Sequence, residues 1–190
     1  MKTVGRADLL RALSHAEVIE AVEAGFRAYS RGEVVVPPVG HMEFADPPGD
    51  CHIKYGYIRG DDTFTVKLAT GFYRNPDLGL PSSNGMMLVF SSRTGEPLAL
   101  LQDEGYLTDL RTAAAGAVAA RLLAPKHIER IGIVGAGTQA HLQLDLLQSV
   151  TSCRRALAWA RRPEKAAEFR PRVLKSRLRR TCPAWYRDRN

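Results

Sequence analysis

A short apolar run, Ile131-Gly-Ile-Val134, passes directly into Gly135-Ala-Gly137-Thr-Gln-Ala140, and a helical pattern begins near His141. This strand–turn–helix spacing, G-x-G-x-x-A, constrains the chain more than any other stretch. The first glycine permits a tight turn, and the second lets backbone approach a pyrophosphate. The small third residue lets helix pack on strand, while the helix N-terminus offers unpaired N–H groups to phosphate oxygens. A sheet built on such a turn ordinarily needs two βαβαβ halves. Only 50 residues follow Ala140, so the sequence predicts a nucleotide-binding fold whose second half is missing.

Charge looks at first like a pointer to nucleic acid, since the formal net charge is +7. Its placement argues otherwise. Residues 170–190 hold eight basic residues and one acid, which leaves 19 of each sign in residues 1–169. The body is therefore neutral, and no specific nucleic-acid partner is expected. The segment from Arg170 to Asn190 lacks periodicity and turn signals, and its composition breaks from what precedes it. It is expected to be an out-of-frame or otherwise abnormal end, the other reading being a basic tail that binds polyanions. No run of eighteen apolar residues suggests a membrane span, and the N-terminus lacks a signal-peptide core. Cys51, Cys153 and Cys182 are odd in number and scattered, with no metal-ligand spacing, so a reducing cytoplasm is expected and no metal.

Along the chain, Ser14 with Glu17 three residues on reads as a capping box, followed by Val18, Val22, Phe26 and Tyr29 at helical spacing. Strands are expected at 33–36, 52–58, 63–70, 86–91 and 97–102, the last two joined through Arg93-Thr-Gly-Glu96. Thr108 is the expected cap of a long Ala-rich helix whose inner side carries Leu110, Ala114, Ala117, Val118 and Leu122 and which ends before Pro125. After the glycine turn, a helix from Thr138 to about Gln148 leads to a strand at 156–160, with no later strand expected. The predicted class is α/β: an α+β domain over 1–112, a connecting helix over 113–126, the first βαβ portion of an incomplete Rossmann domain over 127–169, and a basic tail over 170–190.

Several of these pieces together resemble one family. They are Val66-Lys67-Leu68 with Asn75-Pro76 and Gly79-Leu-Pro81, then Thr94-Gly-Glu-Pro-Leu-Ala-Leu100, then Leu107-Thr-Asp-Leu-Arg-Thr-Ala-Ala114, and finally Gly135-Ala-Gly-Thr-Gln-Ala140. In this order and spacing, over roughly residues 10–169, they resemble the ornithine cyclodeaminase and mu-crystallin family. The resemblance implies homodimers, an α+β domain that contacts substrate and supplies the dimer interface, and a Rossmann domain that holds NAD or NADP. It further implies conversion of ornithine to proline and ammonia through an imine by internal hydride transfer. Within the same family the alternatives are reduction of a ketimine or other imino acid, dehydrogenation of an amino acid, or non-catalytic binding of a ligand or dinucleotide as mu-crystallins suggest.

Site residues follow from the residues and the resemblance together. Lys67 lies between apolar Val66 and Leu68, so it faces away from them. Alone it reads as a solvated strand lysine; the resemblance makes it a catalytic and substrate-binding group near the carboxylate and imine nitrogen. Arg111 sits near the start of the long helix, where a cation gains nothing from the dipole. It is either an ion-pair partner of Asp109 or Glu104 or, by the resemblance, the arginine that forks onto the substrate carboxylate. The cofactor turn comprises Gly135, Ala136, Gly137, Thr138, Gln139 and Ala140. Arg161 and Arg162 follow the next strand where NAD-preferring folds place an acid, which leans toward NADP without excluding NAD. An arginine usual in the family after the first strand is missing from Val36-Pro-Pro-Val-Gly-His41. Lys54 is the expected substitute cation, with His41 second. The family's catalytic aspartate, placed in the second half of the nucleotide domain, has no counterpart here, so the chain as given is expected to be inactive or impaired.

Overall fold

The structure is a computed structural model that describes residues 1–162, 164–165, 169 and 175–178. Two compact units emerge, Met1–Leu13 with Ala24–Thr108, and Ser14–Glu23 with the described residues from Asp109 onward.

The first unit is built on a mixed sheet. In chain order it contains β1 (Lys2–Gly5), α1 (Arg6–Ala12), β2 (Val34–Val35), β3 (Gly40–Phe44), β4 (Gly49–Ile58), β5 (Thr63–Phe72), a short 3-10 helix (Asn75–Leu78), β6 (Ser83–Ser91) and β7 (Pro97–Gln102). The sheet order is β1-β7-β6-β5-β4-β2, with β3 also paired to β4. Only β1 runs parallel to its neighbour, β7; the other pairs are antiparallel. The expected strands are present: β4, β5 and β6 are longer than alternation alone indicated, β7 has the expected bounds, and β2 is shorter than the expected 33–36. β1, α1 and β3 are additions, β3 being a run of five between two proline-containing turns that masked it.

Helix α2 (His15–Ser30) starts where the sequence placed it. The Ser14 N–H donates to the Glu17 carboxylate and the Glu17 N–H donates back to Ser14 Oγ. The Ser14 hydroxyl, then its N–H, holds the Glu17 carboxyl below the ordinary glutamate range. The expected apolar stripe is displaced: Ile19 and Ala28 are buried, whereas Phe26 and Tyr29 are largely exposed.

From Asp109 onward α3 (Tyr106–Leu123) belongs to the second unit, and there it buries Leu110, Ala113, Ala114, Ala117 and Val118. Leu122, expected on that side, is exposed. The next position on the stripe is Arg121, whose guanidinium pairs with Glu23. Strand β8 (Ile131–Val134), α4 (Thr138–Leu147) and β9 (Arg155–Trp159) form a βαβ unit with parallel strands. Its core joins Ala140, Leu144, Ala156, Ala158 and Phe169, with Ile131, Ile133 and Ala136 against it. Alanines on both helix and strand bring the two close, which is the geometry the turn needs.

One expectation fails here. A further strand, β10 (Lys175–Leu178), pairs parallel to β9 with Lys175 opposite Arg155 and Leu178 opposite Ala158, giving the order β10-β9-β8. A ladder is a backbone structure, and sheet edges tolerate charged residues, so the basic composition did not forbid it. The other tail positions from Arg170 lie outside the described residues.

Candidate functional site

Lys67 sits on β5 directly opposite Lys54 on β4 and Met87 on β6, and Met87 is opposite Leu101 on β7. Direct cross-strand partners share a face, so both candidate lysines project from one side of the sheet. Lys67 is half-buried and Lys54 exposed. The Lys67 ammonium donates to Thr108 Oγ1 at 3.4 Å. Like charges directly opposite each other oppose sheet pairing by up to about 1 kcal/mol. An anion received between these two would relieve that repulsion.

His41 lies on the same face one row along, opposite His52, which is opposite Ala69. The two imidazoles stack with centroids 4.6 Å apart. Beyond them the face turns acidic. Tyr73 donates its hydroxyl to Asp50, and that carboxylate, through the hydrogen bond and its charge, pushes the Tyr73 phenol upward.

Thr108 does not cap α3. The helix opens at Tyr106, and the Leu107 N–H is taken by the Asp103 carboxylate at 2.8 Å. Asp103 is 1% exposed, and its other oxygen has no hydrogen-bond partner among the described residues. Glu104 and Gly105 follow at φ 53° and 81°, two successive left-handed residues that turn the chain from strand into helix. Thr108 is thereby left within the first turn, where it meets Lys67. Sequence reasoning missed Asp103, although an Asp before a Gly and an Ala-rich run is itself a cap signal.

Arg111 belongs to the second turn of α3 rather than its opening, where the dipole penalty has largely faded. It is exposed. Neither expected ion pair forms: Glu104 pairs with Arg6 at 3.2 Å, and Asp109 accepts from Gln139. Among the described residues Arg111 has no hydrogen-bond or ion-pair partner.

At the glycine turn, Gly135 has φ 118° and donates its N–H to the Trp159 carbonyl at 2.7 Å, tying the end of β8 to β9. A side chain there is strained. Gly137 differs. Its φ is −94°, it precedes α4 directly, and an added Cβ would meet nothing within 4 Å. Nothing in the packing of the described residues calls for a glycine there. The first turn of α4 carries no acidic residue, and its leading N–H groups lack intrahelical acceptors. Thr138 is exposed and Ala140 buried. Arg161 and Arg162 are exposed just beyond β9.

Comparison with known proteins agrees with these motifs over a longer span than the motifs themselves covered. The model of the ornithine cyclodeaminase/mu-crystallin family matches residues 2–181. The chain belongs to that family. An uncharacterized cyclodeaminase of Sinorhizobium fredii is 46% identical over 151 residues, covering 79% of this chain and 46% of the relative. The structure of Thermococcus litoralis Δ1-pyrroline-2-carboxylate reductase in complex with NADH and L-proline superposes with a TM-score of 0.89 at 31% identity, over 96% of this chain and 58% of that one. An archaeal alanine dehydrogenase dimer with bound NAD gives 0.86 at 31% identity, over 94% and 56%. The chain thus spans about half the length of the curated relatives it matches.

Proposed function

We propose that this chain carries the carboxylate grip and the opening dinucleotide turn of an NAD(P)-dependent enzyme that exchanges hydride at a carbon bearing nitrogen and next to a carboxylate. The observation that carries this reading is the Lys54–Lys67 pair on one sheet face, with the Lys67 ammonium held by Thr108. In the first unit Lys54 and Lys67 are assigned to the substrate carboxylate, and Lys67 also to holding or moving a proton at the neighbouring nitrogen; in the second unit Arg111 is assigned to a carboxylate. Arg111 is suited to this because no acid among the described residues neutralises it.

The turn residues fit a dinucleotide. Gly135, Ala136 and Gly137 would bring backbone to the pyrophosphate, and the N–H groups of Thr138, Gln139 and Ala140 would be the donors that hold it. The open space at Gly137 is where a pyrophosphate would replace a side chain. When bound, the nicotinamide supplies the hydride acceptor and donor. Arg161 and Arg162 stand at the position that meets the adenosine ribose or its 2′-phosphate.

Two reactions suit this grip. Cyclodeamination, of ornithine in the first instance, is supported by the name of the 46%-identical relative. Imino acid reduction is supported by the reductase structure that binds NADH and L-proline. A homodimer in the cytoplasm completes the reading. It is supported by the archaeal dimer and by apolar side chains on the β3–β4 face opposite the lysines. Met42, Phe44, Ile53, Tyr55 and Tyr57 are all exposed there. No helix among the described residues is long and apolar enough to cross a membrane.

The test is calorimetric titration of L-ornithine, L-proline and L-alanine into the chain and its Lys67→Met variant. Expected is binding of at least one amino acid that Lys67→Met weakens about tenfold or more, the loss of a charge-assisted hydrogen bond. Equal affinity for both proteins contradicts the grip.

A further inference from the structure

Gln139 belongs to the glycine turn, yet its side chain does not face outward with the turn. Its Nε2 donates to the Asp109 carbonyl and to Asp109 Oδ1, each at 3.1 Å. One turn along α4, Gln143 Nε2 donates to the Thr112 carbonyl at 3.4 Å and to Gln139 Oε1 at 3.5 Å. Both glutamines are half-buried. One turn further along α3, Gly116 makes room for them: an added Cβ would stand 2.0 Å from Gln143 Oε1. Two amides and one glycine thus form a polar ladder between α4 and the stretch of α3 that brackets Arg111.

Helix packing alone does not require such a ladder. Leu110, Ala113, Ala114 and Ala117 on α3 and Leu144 on α4 are buried without it, and apolar ridges tolerate small slides and rotations. Directional amide bonds do not. The Gln139 bonds also hold Asp109, the acid closest in sequence to Arg111, and Arg111 pairs with no acid among the described residues. The backbone N–H of Gln139 lies in the turn that meets the dinucleotide, so one residue touches both functions.

We infer that Gln139, braced by Gln143, is a positioning residue that fixes the Arg111 turn against the dinucleotide turn and couples binding of the dinucleotide to capture of the substrate carboxylate. This rests on the function proposed above. Ordering of the α4 N-terminus by a pyrophosphate is passed through the ladder to Asp109, and the Arg111 turn is then held in its carboxylate-binding orientation. Coupling of this kind is reciprocal, so carboxylate binding tightens dinucleotide binding by the same factor.

The experiment uses the whole chain, NADH followed by fluorescence, and L-proline as the carboxylate probe. Saturating L-proline is expected to raise NADH affinity by about fivefold or more. Gln139→Ala is expected to bring that ratio close to one, whatever its effect on NADH affinity alone, because the ratio compares each variant with itself. Gly116→Ala, outside the residues assigned to either ligand, is expected to lose the coupling too, and adding Gln143→Ala to it removes the obstruction and restores the part of the ratio that the Gln139–Asp109 bonds carry without their brace. The last pair keeps the inference testable if Gln139→Ala fails to fold. Full coupling in both Gln139→Ala and Gly116→Ala overturns the inference and leaves the proposed function standing, as does binding of both ligands to the parent chain with no coupling. Failure of the parent chain to bind NADH removes the proposed function and this inference together.

Discussion

The two units present their working groups in opposite ways. On the first, the proposed function rests on side chains: Lys54 and Lys67 occupy one row of a long sheet, and their backbone is ordinary ladder. On the second, the proposed function rests on backbone: Gly135 and Gly137 contribute no side chain, and the buried alanines around them serve to bring helix to strand. Truncating a sheet-row side chain should therefore remove binding and spare folding. Disturbing the turn or its supporting core should threaten folding, except at the one glycine that folding does not need.

The sharpest break is expected at Leu144, which is 0% exposed in the second unit's core. Leu144→Ala should cost about 2–5 kcal/mol, read as a lowered denaturation midpoint with an unchanged slope. A smaller loss would mean that the small parallel sheet is not held by the contacts described. Gly135→Val comes next. With φ at 118°, a branched side chain should cost roughly 1–3 kcal/mol and lower the melting temperature as well as NADH affinity. Intact stability would place Gly135 outside the constraint assigned to it. In the first unit, Lys67→Met should leave the melting temperature nearly unchanged and weaken amino acid binding. A large drop in stability instead would make Lys67 a structural strand residue. Ser14→Ala should remove about 1 kcal/mol by breaking the capping box, measured by thermal unfolding.

The same contrast explains what could be read from the sequence. The capping box at Ser14 and Glu17, the Thr94-Gly95 connection and the glycine turn are local, so three or four residues suffice to specify them. The face of Lys67 was legible from Val66 and Leu68, because strand alternation is itself local. Its pairing with Lys54 was not, since register between β4 and β5 depends on where both strands begin. Asp103 escaped notice because Thr108, also a good cap, lies within the same stretch, and the choice depends on the left-handed pair Glu104 and Gly105. Strand β10 was hidden by its charged composition. The orientation of the Gln139 amide was hidden because it answers to Asp109, thirty positions earlier, rather than to its neighbours in the turn.

The most direct test of the proposed function is a fluorescence titration of NADH into the parent chain and its Gly137→Ala variant, with thermal unfolding of both. The Gly137 backbone is unstrained and its Cβ position open, so the two should melt within a degree or two of each other. Saturable NADH binding by the parent chain, clearly weakened in Gly137→Ala at equal stability, is the result expected of a turn that receives a pyrophosphate. No saturable binding by the parent, or equal affinity in both, would contradict it.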